Sequence, residues 1–231
     1  MNNTSLLTPR VIAQLIVFVV LLPLLPILIS GRWDWTEAWL YAIVAILSFV
    51  ISRTLAARRN PDLIRERAHS MEREDMASWD KALAPLIGLS GLLVMVVAGF
   101  DARFGWSAPV HPALRAGGFL VFVLGQILGT YALLENRYFS GVVRIQTDRG
   151  HQVISSGPYR WVRHPGYVAG LLIYLGTPLY LSTLWAFVPA ALITIVLIVR
   201  TRLEDRMLQD QLAGYRDYAG RVRSRLMPHV W

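Results

Sequence analysis

Residues 165–199 read PGYVAGLLIYLGTPLYLSTLWAFVPAALITIVLIV, 35 positions without a charged side chain. A single helix of that length would run roughly 50 Å, well beyond the roughly 30 Å of hydrocarbon in a bilayer. Gly176, Thr177, Pro178, Ser182 and Thr183 stand near the middle of the run, where turn-forming residues break helices. The stretch is therefore read as a helical hairpin, two short membrane-crossing arms joined by a turn.

Four more apolar runs precede it, at 11–30, 35–51, 82–100 and 114–134. Apolar residues make up 55% of the chain and the mean hydropathy is +0.44, so a single soluble core is the wrong picture. The expected fold class is all-α, a polytopic membrane helix bundle. It has about six transmembrane helices, a C-terminal helical hairpin and a cytoplasmic exit helix from residue 200. No internal repeat or low-complexity segment divides the chain, and 1–231 is read as one membrane domain. The opening ten residues carry one basic group and no small-residue cleavage site, which favours a retained helix over a removed signal.

Six crossings put both termini on one side, and the basic residues indicate which. Arg10 and the segments 53–81, 137–163 and 200–231 hold 20 of the 23 Lys and Arg; only Arg32, Arg103 and Arg115 fall opposite. Positive charge concentrates on the cytoplasmic side of membrane proteins, so both termini and the 151–167 loop are expected in the cytoplasm. The net charge of +8 is then a topology signal and calls for no nucleic-acid partner. The absence of cysteine excludes disulfides and thiolate chemistry. His151 and His164 are 13 positions apart with no third ligand at metal spacing, so no metal site is expected.

The loop just before the hairpin is where chemistry concentrates. His151, Tyr159, Arg160, Trp161, Arg163, His164 and Tyr167 crowd into 17 residues at the lip of a buried helix. Gly157-Pro158 marks a turn, and Pro165 suits the first position of the next helix. The amides of Gly166, Tyr167 and Val168 are then expected to be open to an anion. Taken singly, Arg163 and His164 read equally well as interfacial anchors reaching toward headgroups. Glu135 and Asn136, at the end of the fourth run, are caps, headgroup contacts or pocket lining. The 58–79 segment mixes charges of both signs and reads as a solvated surface helix. Beyond the hairpin, Arg200, Glu204 and Leu208 share one helical face, either as an ordinary i,i+4 ion pair or with Glu204 and Arg200 turned into a pocket.

The combined pattern His151-x-Val-Ile-x-x-Gly157-Pro-Tyr159-x-x-x-Arg163-His164-Pro165-x-Tyr167, then Arg200-x-x-Leu-Glu204-Asp205 and Gly-Tyr215-x-x-Tyr218, resembles the isoprenylcysteine carboxyl methyltransferase and phospholipid methyltransferase superfamily of membrane enzymes. The likeness covers roughly the last 90 to 100 residues. It implies N-terminal spans in 1–134 and a catalytic, cofactor-binding core in 135–231. It also implies methyl transfer from S-adenosylmethionine to a hydrophobic or lipid-like acceptor, either a carboxylate such as isoprenylcysteine or a phospholipid amine. On that resemblance the donor is contacted by Arg144, His151, Gln152, Val153, Ile154, Tyr159, His164, Pro165, Gly166, Tyr167 and Glu204. Arg200 and Glu204 carry the catalytic roles, with Arg200, Glu135 and Asn136 toward the acceptor. Arg144 stands where some relatives have Gln, and the acid pair is Glu-Asp where others have Glu-Glu. The residue chemistry agrees: a sulfonium suits tyrosine faces, an ammonium suits Glu204, and methyl displacement needs positioning more than a covalent nucleophile.

Two other readings compete. An NADPH-dependent membrane sterol or steroid C=C reductase shares the Arg-His-Pro-x-Tyr segment, but no basic cluster for a 2′-phosphate stands out. A small transporter would show charges inside the spans or inverted repeats, and neither is present. The topology has a direct check: reporter fusions at Trp231 and at Pro109 are expected on opposite sides of the membrane, and the same side for both would overturn it.

Overall fold

Prolines open three of the helices, because their missing N–H costs nothing in the first turn and their fixed φ suits helix entry. The computed structural model describes residues 16–228, 230 and 231, and its regular elements among them are all helices, with no β-strand. A π-helical turn, Ile16–Leu21, leads into α1 (Leu22–Ser30). Then come α2 (Thr36–Arg59), the short α3 (Pro61–Ala68), α4 (Asp80–Phe104) and α5 (Pro112–Glu135). After an irregular stretch the chain forms α6 (Pro165–Leu181), α7 (Phe187–Gln211) and α8 (Tyr215–Arg221). Residues 11–15 of the first expected span lie outside the described residues.

Four helices are long and apolar enough to cross a membrane, Thr36–Arg59, Asp80–Phe104, Pro112–Glu135 and Leu184–Gln211, and two shorter apolar ones are Val19–Ser30 and Pro165–Leu181. The 165–199 run is indeed broken: Ser182 takes the left-handed conformation at φ 58° and closes α6. The second arm does not stop at Val199 but continues as one helix to Gln211. Leu40, Leu47, Ile51, Leu89, Leu120, Ile127, Leu192 and Ile195 are exposed along the long helices, a surface whose natural solvent is lipid. At one end, Trp33, Trp106 and Trp185 are also exposed, the aromatic signature of a membrane interface. There Asp101, buried at the foot of α4, accepts from the Ser107 and Trp185 amides at 2.8 and 3.1 Å, which ties the α4–α5 and α6–α7 turns together.

The bundle's tightest seam lies between α5 and α6. In lipid there is little hydrophobic gain from bringing helices together, so close backbone approach through small residues supplies the attraction. A Cβ at Gly176 would lie 2.7 Å from the Gly118 carbonyl and the Phe122 amide, and one at Gly125 2.9 Å from the Ala169 carbonyl. At the other end of the molecule, α3, the N-terminus of α4, the 136–164 loops and the C-terminus of α7 converge. The basic segments 53–81, 137–163 and 200–225 gather there. The seam sets an expectation: Gly176→Val forces backbone apart and destabilises the protein by about 1 to 3 kcal/mol, read as a lowered unfolding midpoint in detergent.

Candidate active site

The long loop between α5 and α6 has no regular ladder, so side chains must hold it. Asn136, just past α5, accepts from the Tyr138 amide at 2.8 Å and donates to the Tyr159 hydroxyl at 3.2 Å. Tyr138 donates to the Gly150 carbonyl at 2.6 Å, and buried Gln146 donates to the Tyr138 carbonyl at 2.7 Å. The Gly157–Arg160 turn is a 3₁₀ helix with Gly157 at φ 56°. A Cβ there would also lie 2.8 Å from Glu135 Cγ, so both conformation and space demand glycine.

The loop is clamped to α7 through Asp205. This buried carboxylate takes a bidentate grip from Arg163 at 2.7 and 2.9 Å, and further bonds from Arg225 at 2.8 Å, Tyr215 at 3.1 Å and Gln209 at 2.9 Å. His164 Nε2 lies 3.4 Å from Asp205, and its Nδ1 lies 4.0 Å from Glu204. Burial works against the charge of Arg163, but the Asp205 carboxylate outweighs it and holds the guanidinium above its ordinary value.

A second clamp joins the loop to α3. The Arg144 guanidinium is enclosed by Glu66 at 2.9 and 3.0 Å, Asp75 at 2.7 Å and Asp148 at 2.9 Å. Burial again opposes the charge, and the Glu66, Asp148 and Asp75 carboxylates raise it above the usual arginine value. Glu66 is itself buried and also takes Arg73. The 58–79 segment is therefore no bland surface helix: α3 is docked by ions onto the loop.

The two clamps frame a cavity of about 290 Å³. His151, Gln152, Val153, Ile154, Tyr159, His164, Gly166, Tyr167 and Glu204 all line it, as do Arg144, Arg200 and Asn136. Pro165 and Glu135 do not; Pro165 starts α6 and Glu135 packs beside Gly157 and lies 3.9 Å from Arg59. His151 packs against Tyr138 at a tilt, with ring centres 4.5 Å apart, and its Nδ1 accepts the Gln146 amide at 3.3 Å. Burial, then Arg144 and Arg149, push its pKa down to about 4, so it lines the wall as a neutral ring. Burial raises Tyr159 above its ordinary value, keeping it a phenol. Tyr215 and Tyr218 complete the aromatic wall, and Tyr218 donates to the Tyr159 carbonyl at 2.7 Å.

Of the two readings of Arg200 and Glu204, the i,i+4 pair is not formed. Arg200 binds Asp80 at the start of α4 bidentately at 2.7 and 2.8 Å, donates to the Gly141 carbonyl at 3.1 Å and sits 5.5 Å from the Tyr167 ring centre. That leaves Glu204 with the Tyr167 hydroxyl as donor. Nor is the start of α6 an open anion site. The Tyr167 and Val168 amides donate to the His164 carbonyl at 3.0 and 3.2 Å, and the Phe139 ring covers Gly166. Sequence reading missed Asp80, Gln146, Tyr138 and Arg67. Only the Gly-Tyr215-x-x-Tyr218 motif had marked the other tyrosines. Among the described residues no cluster of acids and histidines has metal-binding geometry.

Residues 118–210 match the profile of the isoprenylcysteine carboxyl methyltransferase family. Over that segment the chain is similar to this family. It is 30% identical over 118 residues to a probable protein-S-isoprenylcysteine O-methyltransferase of Oryza sativa subsp. indica, covering 47% of this chain and 59% of that one. The protein-S-isoprenylcysteine O-methyltransferase of Saccharomyces cerevisiae is 28% identical over 113 residues, 46% of this chain and 45% of that one. A Delta(14)-sterol reductase of Mus musculus is 33% identical over 95 residues, 40% of this chain and 23% of that one. The chain thus spans about half the length of the methyltransferase relatives. The matched segment holds most of α5 and α7, all of α6 and the loop, which is the wall bearing His151, Tyr159, Tyr167 and Glu204; α3 and Asp80 lie outside it.

The clamp at Asp205 carries a stability expectation. Asp205→Ala leaves Arg163 and Arg225 without their anion and costs about 3 to 5 kcal/mol, measured by chemical unfolding of the detergent-solubilised protein. Wild-type stability in this variant would contradict the role given to the clamp.

Proposed function

We propose that the protein is a membrane-embedded, S-adenosylmethionine-dependent methyltransferase that acts on a lipid-like acceptor, with its site on the cytoplasmic face. One observation carries this reading: Glu204 is the sole carboxylate among the described cavity residues, and no arginine is bonded to it. An acid with no arginine partner, in a site where other acids are spent on arginines, suits a cationic ligand. The surrounding phenols suit a sulfonium, and the similarity of residues 118–210 to a methyltransferase family points the same way.

Bound there, S-adenosylmethionine supplies a methyl group activated by the neighbouring positive sulfur. Glu204 binds the ammonium of the donor, held in place by Tyr167 and by His164 from the other side. The irregular 151–154 stretch, with His151 neutral, would form the wall for the adenine. Tyr159, Tyr215 and Tyr218 exclude water and stabilise positive charge. The apolar residues Ile87 and Leu197, with Tyr174, line the part of the cavity inside the bundle, suited to a hydrophobic tail. Arg200, fixed by Asp80, lines the same cavity and orients the acceptor head. In-line methyl transfer disperses charge, so orientation and desolvation are the protein's contributions.

The likeness to a sterol reductase keeps NADPH reduction as a second reading. Three of the four arginines on the cavity are bonded to carboxylates, leaving little to hold a 2′-phosphate and a pyrophosphate. Purified protein incubated with radiolabelled methyl donor and a total lipid extract is expected to label a lipid-soluble species. Hydride transfer from NADPH without methyl labelling would favour the reductase. Glu204→Gln is expected to weaken S-adenosylmethionine binding by about 1.5 to 3 kcal/mol in calorimetry on solubilised protein; unchanged affinity would move the ammonium site elsewhere.

A further inference from the structure

Four arginines line the cavity, Arg67, Arg144, Arg163 and Arg200. Three are neutralised by carboxylates: Arg144 by Glu66, Asp75 and Asp148, Arg163 by Asp205, and Arg200 by Asp80. Arg67, half-buried on α3, is bonded to none among the described residues. Its Nη1 donates to the Phe139 carbonyl at 3.1 Å, and its guanidinium lies 5.4 Å from the Phe139 ring centre. A guanidinium carries five donors in a planar fork, so most of them remain for a ligand. A partly buried cation without an anion is costly, and the surroundings add to that cost. Burial, then the nearby Arg53 and Arg200, push the Arg67 pKa below its ordinary value.

The position of Arg67 indicates which molecule it meets. Glu204 and the His151–Ile154 wall, which serve the donor, belong to the family segment. Arg67 enters from outside that segment, on a helix fastened to the loop by the Glu66–Arg144 pair one residue earlier. It neighbours Arg200, and the apolar wall of Ile87, Tyr174 and Leu197 borders the same cavity. We propose that Arg67 is the specificity-determining anchor for the acceptor, gripping a carboxylate on its head group while the tail lies along that apolar wall. The assignment rests on the methyl-transfer reading. A carboxylate held by Arg67 through one oxygen keeps a lone pair on the other. That lone pair forms the new C–O bond as the S–C bond breaks toward sulfur, and no proton moves.

The test compares two probes, N-acetyl-S-farnesylcysteine and its uncharged carboxamide, with wild type, R67Q and R67K in detergent. Calorimetry gives their affinities and that of S-adenosylmethionine, and steady-state methylation of the acid gives KM and kcat. Wild type is expected to bind the acid at least tenfold more tightly than the amide. R67Q is expected to erase that preference, with acceptor KM rising at least tenfold, while donor affinity stays within twofold and amide affinity is unchanged. R67K keeps the charge without the fork and is expected to retain part of the preference, at least threefold below wild type. If R67Q fails to fold, R67K decides alone, and an unchanged acid-to-amide ratio overturns the proposal. A wild type that does not distinguish acid from amide, or an R67Q that loses donor affinity in place of acceptor affinity, overturns it too. Wild type that binds no S-adenosylmethionine overturns the methyl-transfer reading itself. Normal donor binding with the acid preference intact in R67Q overturns only the role of Arg67.

Discussion

Asp205 is buried on α7 and is bonded to Arg163, Arg225, Tyr215 and Gln209. Removing a carboxylate and two guanidiniums from water is expensive, and only close, many-centred bonding offsets it. The cluster meets that condition. It also does more than offset its own cost: Arg163 precedes α6, Tyr215 opens α8, and Arg225 comes from the segment beyond α8. The backbone follows the same path, with the Arg163 and His164 amides donating to Ser224 and Arg225 at 3.0 Å. This anion, together with the Tyr167 bond to Glu204, holds the His164 and Tyr167 side of the cavity to the helix that carries Glu204.

The adjacent acids on α7 thus have opposite fates set by helix geometry. Neighbouring residues on a helix point about 100° apart, so Glu204 faces the cavity while Asp205 faces the clamp. Arg200, one turn earlier, shares the Glu204 face yet reaches across to Asp80 on α4. The spacing that would allow an i,i+4 ion pair contributes only tenths of a kcal/mol. A buried bidentate partner on another helix wins over it, and the outcome leaves Glu204 available.

The same logic divides the cavity between two parts of the chain. The 118–210 segment supplies His151, Tyr159, Tyr167 and Glu204, residues after it add Tyr215 and Tyr218, and residues before it supply Arg67, Glu66 and Asp80. Each of the earlier residues is a charge, and two of the three fix a later arginine. The N-terminal half is therefore more than a set of lipid-facing spans: it sets the electrostatics of the pocket. The α5–α6 glycine seam keeps this arrangement compact, since Gly118, Gly125 and Gly176 let the two backbones meet where lipid offers no hydrophobic push.

Composition and the placement of turn residues were enough to read a helical membrane bundle, the broken 165–199 run and a helix starting at Pro165. Those features depend on local chain chemistry and on apolar length, both written linearly. The His151–Tyr167 motif with Glu204 likewise marked most of one cavity wall. Only the folded chain decided the partners. Asp80 lies 120 positions before Arg200 and Glu66 lies 78 before Arg144, and no periodicity relates such distant charges. The amides of Tyr167 and Val168, open to an anion on local rules, turned inward to the His164 carbonyl, and Pro165 and Glu135 fell outside the cavity. Charges in a low-dielectric interior are paired by whichever opposite group the packing brings within 3 Å, and packing is a property of the whole bundle.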